Sequence, residues 1–161
     1  MTGMWTIEPS PVDHPDATAV MRDYLEDVAG RYYGRPATAE EVDRALAAEP
    51  ADDLVPPSGV FLLGRAGGAV TGCVGVKLLD ARTAELTKLY ICPAARGSGG
   101  GSQLLLAAER AARELGAEVM CLNTRQDLTE AKSLYARHGY VETEPYTTGR
   151  YVDHCFQKAL L

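Results

Sequence analysis

Arg96-Gly97-Ser98-Gly99-Gly100-Gly101 decides how this chain is read, because of what stands on either side of it. Before it runs Glu85-Leu86-Thr87-Lys88-Leu89-Tyr90-Ile91-Cys92-Pro93, whose apolar, aromatic and β-branched content predicts a strand. After it, Ser102 to Leu115 sets Leu104, Ala108, Ala111 and Leu115 on one stripe and predicts an amphipathic helix. A strand, a glycine turn and a helix form a site for a phosphate-bearing ligand. Glycines let backbone approach the ligand, and the first N–H groups of the helix have no partners inside it. The helix N-terminus adds a partial positive charge. The turn is not a P-loop, since no Gly-Lys-Ser or Gly-Lys-Thr follows. Nor is it a dinucleotide fingerprint, whose third glycine would fall where Ser102 stands. Alone, it also fits a plain strand-to-helix connection.

Working outward, Trp5 to Glu8 reads as a strand ended by Pro9, Pro11 and Pro15. Asp16 to Arg31 carries apolar residues at helical spacing, and Gly30 and Gly34 are expected to break it. Thr38 with Glu41 is a capping box opening a second helix that runs toward Pro50. Gly59 to Leu63 is a buried strand, Gly67-Gly68 a hairpin turn, and Ala69 to Leu79 the returning strand. Gly72 and Gly75 there suggest a bulge or a close neighbour. Thr83 to Ile91 is the central strand. Gly116 ends the helix after the turn, and Val119 to Asn123 is a further strand. Asp127 with Glu130 reads as a second capping box, and Gly139 closes that helix. Tyr140 to Glu144 and Tyr151 to Lys158 close the sheet as antiparallel strands joined by Pro145 to Arg150. The order is that of a mixed α/β layer fold with an antiparallel front.

The 161 residues, 46% of them apolar, suffice for a single domain spanning 1–161 with its own core. A formal net charge of −6 argues against a nucleic-acid partner. It favours a cationic small molecule as ligand slightly, as does the acidic stretch Ala51-Asp52-Asp53. No apolar run approaches the ~20 residues of a membrane helix, and no signal peptide is visible, so a cytoplasmic location is expected. Cys73, Cys92, Cys121 and Cys155 are widely spaced, which reads as free thiols in a reducing compartment and as no metal site.

Arg96, Gly99 and Gly101 after a Leu-Tyr-Ile-x-Pro strand resemble the acetyl-coenzyme A loop of the GNAT superfamily of N-acetyltransferases. Ala131-Lys132-Ser133-Leu134-Tyr135-Ala136-Arg137-His138-Gly139-Tyr140 resembles that superfamily's A-x-x-L-Y-x-x-x-G-F/Y block, in the expected order and at the expected separation. The resemblance implies the acyl-CoA N-acyltransferase fold, a mostly antiparallel sheet flanked by helices and splayed at the cofactor cleft. It implies acetyl-CoA as acyl donor and a small amine (or peptide) as acceptor. The chain departs from the family at Ser98, where a basic residue is frequent, and at Leu128, where many members carry an asparagine that contacts the cofactor.

Acetyl transfer from a thioester must hold the donor, present a neutral amine, stabilise a developing oxyanion and protonate the leaving thiolate. Backbone N–H groups from Arg96 through Gly97, Ser98, Gly99, Gly100 and Gly101 to Ser102 face the pyrophosphate in this reading, and Arg96 adds charge. The resemblance adds the backbone of Leu89, Tyr90 and Ile91 for pantetheine and for the thioester carbonyl. It places Tyr135, otherwise a core aromatic, beside the sulfur as general acid. Glu85, a carboxylate in an apolar strand, is the candidate general base, directly or through water. It also fits an anchor for a cationic substrate or a structural ion pair. His138 and the pair Asp153-His154 read as structural, while Tyr32, Tyr33 and Arg35 fall where the family covers its acceptor pocket. A non-catalytic acyl-CoA-binding module on the same fold is the alternative. The closing strands would allow a homodimer.

Overall fold

The computed structural model describes residues 4–149 and 151–160. Its elements follow the order β1 (Thr6–Pro9), α1 (Pro15–Tyr33), α2 (Ala39–Ala48), β2 (Gly59–Ala66), β3 (Ala69–Leu78) and β4 (Thr83–Ile91). After a single 3-10 turn at Pro93–Ala95 come α3 (Gly100–Glu114), β5 (Val119–Thr124), α4 (Thr129–Arg137), β6 (Val141–Thr143) and β7 (His154–Ala159). The strands form one seven-stranded sheet in the order β1-β2-β3-β4-β5-β7-β6. All neighbours are antiparallel except β4 and β5. This is the mixed, mostly antiparallel α/β sheet expected from the sequence.

Strand alternation divides the core between the two faces of the sheet. Leu62 joins Val74, Val76, Leu86 and Met120 beneath Leu104, Leu105, Ala108 and Ala112 of α3. Its neighbours Phe61 and Leu63 point the other way, toward Ala17, Val20 and Met21 of α1. Phe61 is fully buried, a burial that stabilises by about 2–3 kcal/mol.

Local chemistry sets the element ends. Thr38 and Glu41 cap α2 reciprocally, as the sequence predicts. Gly30 does not break α1; it stays inside the helix, and only Gly34, at φ 70°, closes it. Helix α3 begins at Gly100, earlier than its apolar stripe suggests, because Gly99 takes a left-handed conformation at the N-cap. Asp127 does not cap α4. Arg125 holds both of its carboxylate oxygens, at 2.9 and 2.8 Å, and α4 starts at Thr129 without a side-chain cap. Strand β7 begins only at His154, since the Asp153 carboxylate accepts the Gln126 N–H at 2.9 Å and Tyr151 packs against Tyr32. Arg150, in the connection before it, lies outside the described residues.

Two irregularities open the sheet at its centre. The register of β3 on β4 shifts between Cys73 and Gly75. Opposite that shift Lys88 adopts φ 56°, the one non-glycine residue with positive φ among the described residues. The parallel pairing of β4 with β5 extends only from Thr83 to Glu85. Beyond Glu85 the two strands part, and the β5 side of β4 is left without a partner strand.

Candidate active site

The parting strands open into a cavity of about 900 Å³. The glycine turn and the start of α3 wall one end, β4 runs along the floor, and α1, α2 and α4 close the sides. Leu89 to Ile91 line it, as does every residue from Arg96 to Ser102 apart from Ser98.

At the turn the backbone is exposed for binding. Gly97 and Gly99 have φ of 83° and 84°, values that side chains rarely tolerate. A Cβ on Gly100 would stand 2.1 Å from the Trp5 ring, so the helix can start this close to β1 only with glycine there. No side chain caps α3, which leaves its first N–H groups for a ligand. The side chains of the turn are already engaged. The Ser98 hydroxyl donates to the Ala95 carbonyl at 2.6 Å. The Ser102 hydroxyl meets His138 Nε2 at 2.9 Å, so His138 ties the end of α4 to the first turn of α3. Arg96 Nε donates to the Ile91 carbonyl at 3.0 Å, and its guanidinium lies 3.4 Å from Asp27. With those side chains engaged, what the cradle could offer an anion is its backbone N–H groups and the helix terminus.

Tyr135 lines the cavity from α4, its ring packed near Tyr140 and Phe156 with centroids 5.8 and 6.4 Å away. Its hydroxyl bonds to no protein group among the described residues, and burial pushes its pKa above the ordinary phenol value. It is therefore a protonated donor at neutral pH. Glu85 is not brought to the cavity. It sits where β4 and β5 begin to part, accepts a hydrogen bond from the Tyr146 hydroxyl at 2.8 Å and faces the Lys77 ammonium at 3.7 Å. Tyr146 accepts in turn from Asn123, at 3.1 Å, and Asn123 does line the cavity. Glu85 thus has no direct face on the cavity, and Tyr146 and Asn123 stand between.

Tyr32 and Tyr33 line the outer rim, and Tyr151 stacks edge-on against Tyr32 at 5.1 Å. Arg35 does not join them, because Glu41 holds its guanidinium through two bonds of 2.9 Å. Ala51-Asp52-Asp53 also stays away from the lining, with the Asp53 carboxylate 3.0 Å from Lys77. That stretch therefore adds no charge to the cavity, whose lining acids are Asp27, Glu41, Glu49 and Glu130. His154 pairs with Glu142 at 2.7 Å outside the lining. Two lining cations, Lys88 and Arg125, carry no sequence signal of function: one is a lysine inside a strand, the other an arginine at a strand end. The cysteines are free, and no cluster of metal-ligating side chains occurs among the described residues. No helix among them is long and apolar enough to cross a membrane.

The sequence pattern of the acetyltransferase (GNAT) family matches residues 17–140. An uncharacterized N-acetyltransferase of Schizosaccharomyces pombe is 32% identical over 138 residues, covering 84% of this chain and 81% of that protein. A GNAT-family acetyltransferase of Staphylococcus aureus superposes with a TM-score of 0.78 at 14% identity, over 98% of this chain and all of that one. An acetyltransferase of Salmonella typhimurium, solved with its cofactor acetyl-CoA, superposes with a TM-score of 0.67 at 22% identity, over 98% and 94% of the two chains.

Proposed function

The chain belongs to the acetyltransferase (GNAT) family and is an acetyltransferase, and from that premise we propose that it moves the acetyl group of acetyl-CoA directly onto the amine of a small molecule. One observation carries the reading: a single cavity joins the uncapped start of α3 to the Tyr135 hydroxyl through the gap where β4 and β5 part. We read residues 1–161 as one such domain, since both apolar clusters are built on the same sheet.

Acetyl-CoA supplies a thioester, an acyl group already activated toward an amine. Backbone N–H groups at the glycine turn and the start of α3 hold its pyrophosphate. The unpaired edge of β4 at Leu89, Tyr90 and Ile91 offers N–H and C=O groups to the pantetheine arm and to the thioester carbonyl. The amine nitrogen bonds to the acyl carbon as the carbon–sulfur bond breaks. Tyr135 gives its hydroxyl proton to the departing sulfur, and solvent restores it. The proton lost by the amine passes through water to Glu85, beside the Asn123 wall.

Calorimetric titration with acetyl-CoA, run beside ATP and NAD, tests the donor, and release of free thiol with a panel of amines tests the transfer. Binding of acetyl-CoA alone, followed by thiol release, supports the proposal. Binding without release from any amine would instead mark a non-catalytic acyl-CoA-binding module. Absence of acetyl-CoA binding refutes both.

A further inference from the structure

Among the described residues Lys88 is the one buried cation of the cavity that no carboxylate holds. Its residue is only 6% exposed, yet it lines the cavity wall on the α2 side. It stands at the strained point of β4, at φ 56°, a conformation that non-glycine residues rarely adopt. The Nζ donates to the Glu49 carbonyl at the end of α2, at 3.0 Å, and no carboxylate lies within 4.0 Å of it among the described residues. An ammonium has three donors, so that bond leaves part of its capacity unused. Burial pulls its pKa down from the ordinary lysine value, opposed chiefly by the Glu49 charge.

The rest of the molecule treats buried charge differently. Glu109, 1% exposed, receives Lys158 Nζ at 3.0 Å on both oxygens and the Tyr140 hydroxyl at 3.0 Å. Arg125, also buried, is held by both oxygens of Asp127. Within the cavity the acids are mostly spent: Asp27 faces Arg31 and Arg96, Glu41 holds Arg35, and Glu130 holds Arg31. A buried, incompletely bonded cation beside a reactive cavity is stabilised by an anion that arrives with the ligand.

We propose that Lys88 recognises an anionic group on the acceptor, so that the amine acetylated here carries a carboxylate or a phosphonate. This rests on the transfer reading above and names its acceptor class. The anion sits on the free donors of the Lys88 ammonium. The amine then lies further along β4, toward Tyr135. The bulge is what turns the lysine into the cavity: a regular strand would carry it to the face chosen by simple alternation.

The test is a thiol-release panel of matched amines: each α-amino acid beside its carboxyl-reduced amino alcohol, 2-aminoethylphosphonate beside ethanolamine, and diamines of similar length. It is run on the wild-type protein, on Lys88→Gln and on Lys88→Arg. At least one anion-bearing amine is expected to exceed its neutral partner in kcat/KM by about tenfold or more. Lys88→Gln, which keeps a donor for the Glu49 carbonyl, is expected to raise the KM of that amine about tenfold and erase the preference, with calorimetric acetyl-CoA affinity unchanged. Lys88→Arg is expected to retain the preference in part. Equal or better turnover of the amino alcohols or diamines overturns the inference and leaves the transfer reading standing. So does a preference for the anion that survives Lys88→Gln. Acetyl-CoA binding with no turnover of any panel member also overturns it. If Lys88→Gln fails to fold, the wild-type panel and Lys88→Arg still decide. Failure of the wild-type protein to bind acetyl-CoA removes the transfer reading itself.

Discussion

Removing the Tyr135 hydroxyl separates chemistry from stability with a single atom. In Tyr135→Phe the ring keeps its packing against Tyr140 and Phe156, and no protein hydrogen bond is lost. The cost to folding should therefore stay below ~1 kcal/mol. Unfolding entropy is about 2.1 cal/mol/K per residue, so for a chain of 161 residues each kcal/mol moves Tm by roughly 3 °C. The Tm of the variant should accordingly lie within about 3 °C of wild type. Turnover should behave otherwise. Loss of a general acid costs ~10²–10⁴-fold, and an alkyl thiol, with a pKa near ~8.5, is a leaving group that needs the lower end of that help. A fall of about 10²-fold in kcat, or ~2.7 kcal/mol in the barrier, is expected. Because burial raises the phenol further, it stays protonated through the assay range. No basic limb of the pH–rate profile should then belong to it, and none should vanish in the variant. Thiol release under saturating acetyl-CoA measures kcat, and calorimetry confirms that donor affinity is retained. A kcat within threefold of wild type would refute the acid role. A Tm drop of ~10 °C would refute the geometry, since it would mean the hydroxyl bonds to protein.

Glu85→Gln should lower kcat with acetyl-CoA affinity unchanged; a change confined to the acceptor KM would make Glu85 an anchor instead of a base. Gly99→Val forces a β-branched residue to φ 84°, and calorimetry should show acetyl-CoA affinity reduced about tenfold or more, whereas unaltered affinity would take the turn out of the donor site. Lys158→Met strips Glu109 of its closest cation and leaves Arg113 at 4.0 Å, so a loss of about 3 kcal/mol and ~9 °C in Tm is expected by calorimetry. Glu41 is held down to about 2, from an ordinary 4.5, by the Arg35 guanidinium and then by the Thr38 N–H. Its folded pKa is thus the lower one, so its contribution is complete above 4.5 and lost as pH falls toward 2. Across that window Tm should fall less steeply in Arg35→Met than in wild type, and parallel acid limbs would count against the pair.

Different residues made different parts of the fold legible. Leu104, Ala108 and Ala111 marked α3 because a helix repeats its apolar face every few residues, whatever lies around it. The box of Thr38 and Glu41 marked α2 because its partners are three residues apart. The same logic misled at Asp127, where the cap was outbid by Arg125, two residues away in sequence and equally local. It misled again at Gly30, where packing in a long helix overrode a weak preference against glycine. Motif spacing located the glycine turn and Tyr135. It could not show that the Arg96 guanidinium is drawn off to Ile91 and Asp27, since Asp27 comes from a helix far back in the chain.

By itself, then, the sequence determined what depends on neighbours along the chain: strand and helix periods, the uncapped glycine turn, and the pairing of two motifs that identifies the family. The tertiary structure alone decided which of those residues share a cavity. Glu85 and Lys88 lie three positions apart on one strand, and nothing local says which of them reaches the cavity. The shift of β3 on β4 and the parting of β4 from β5 carry Lys88 into the cavity and leave Glu85 at its edge, bonded to Tyr146. The side a residue faces near a bulge is set by the partner strands, and those are fixed only when distant segments meet.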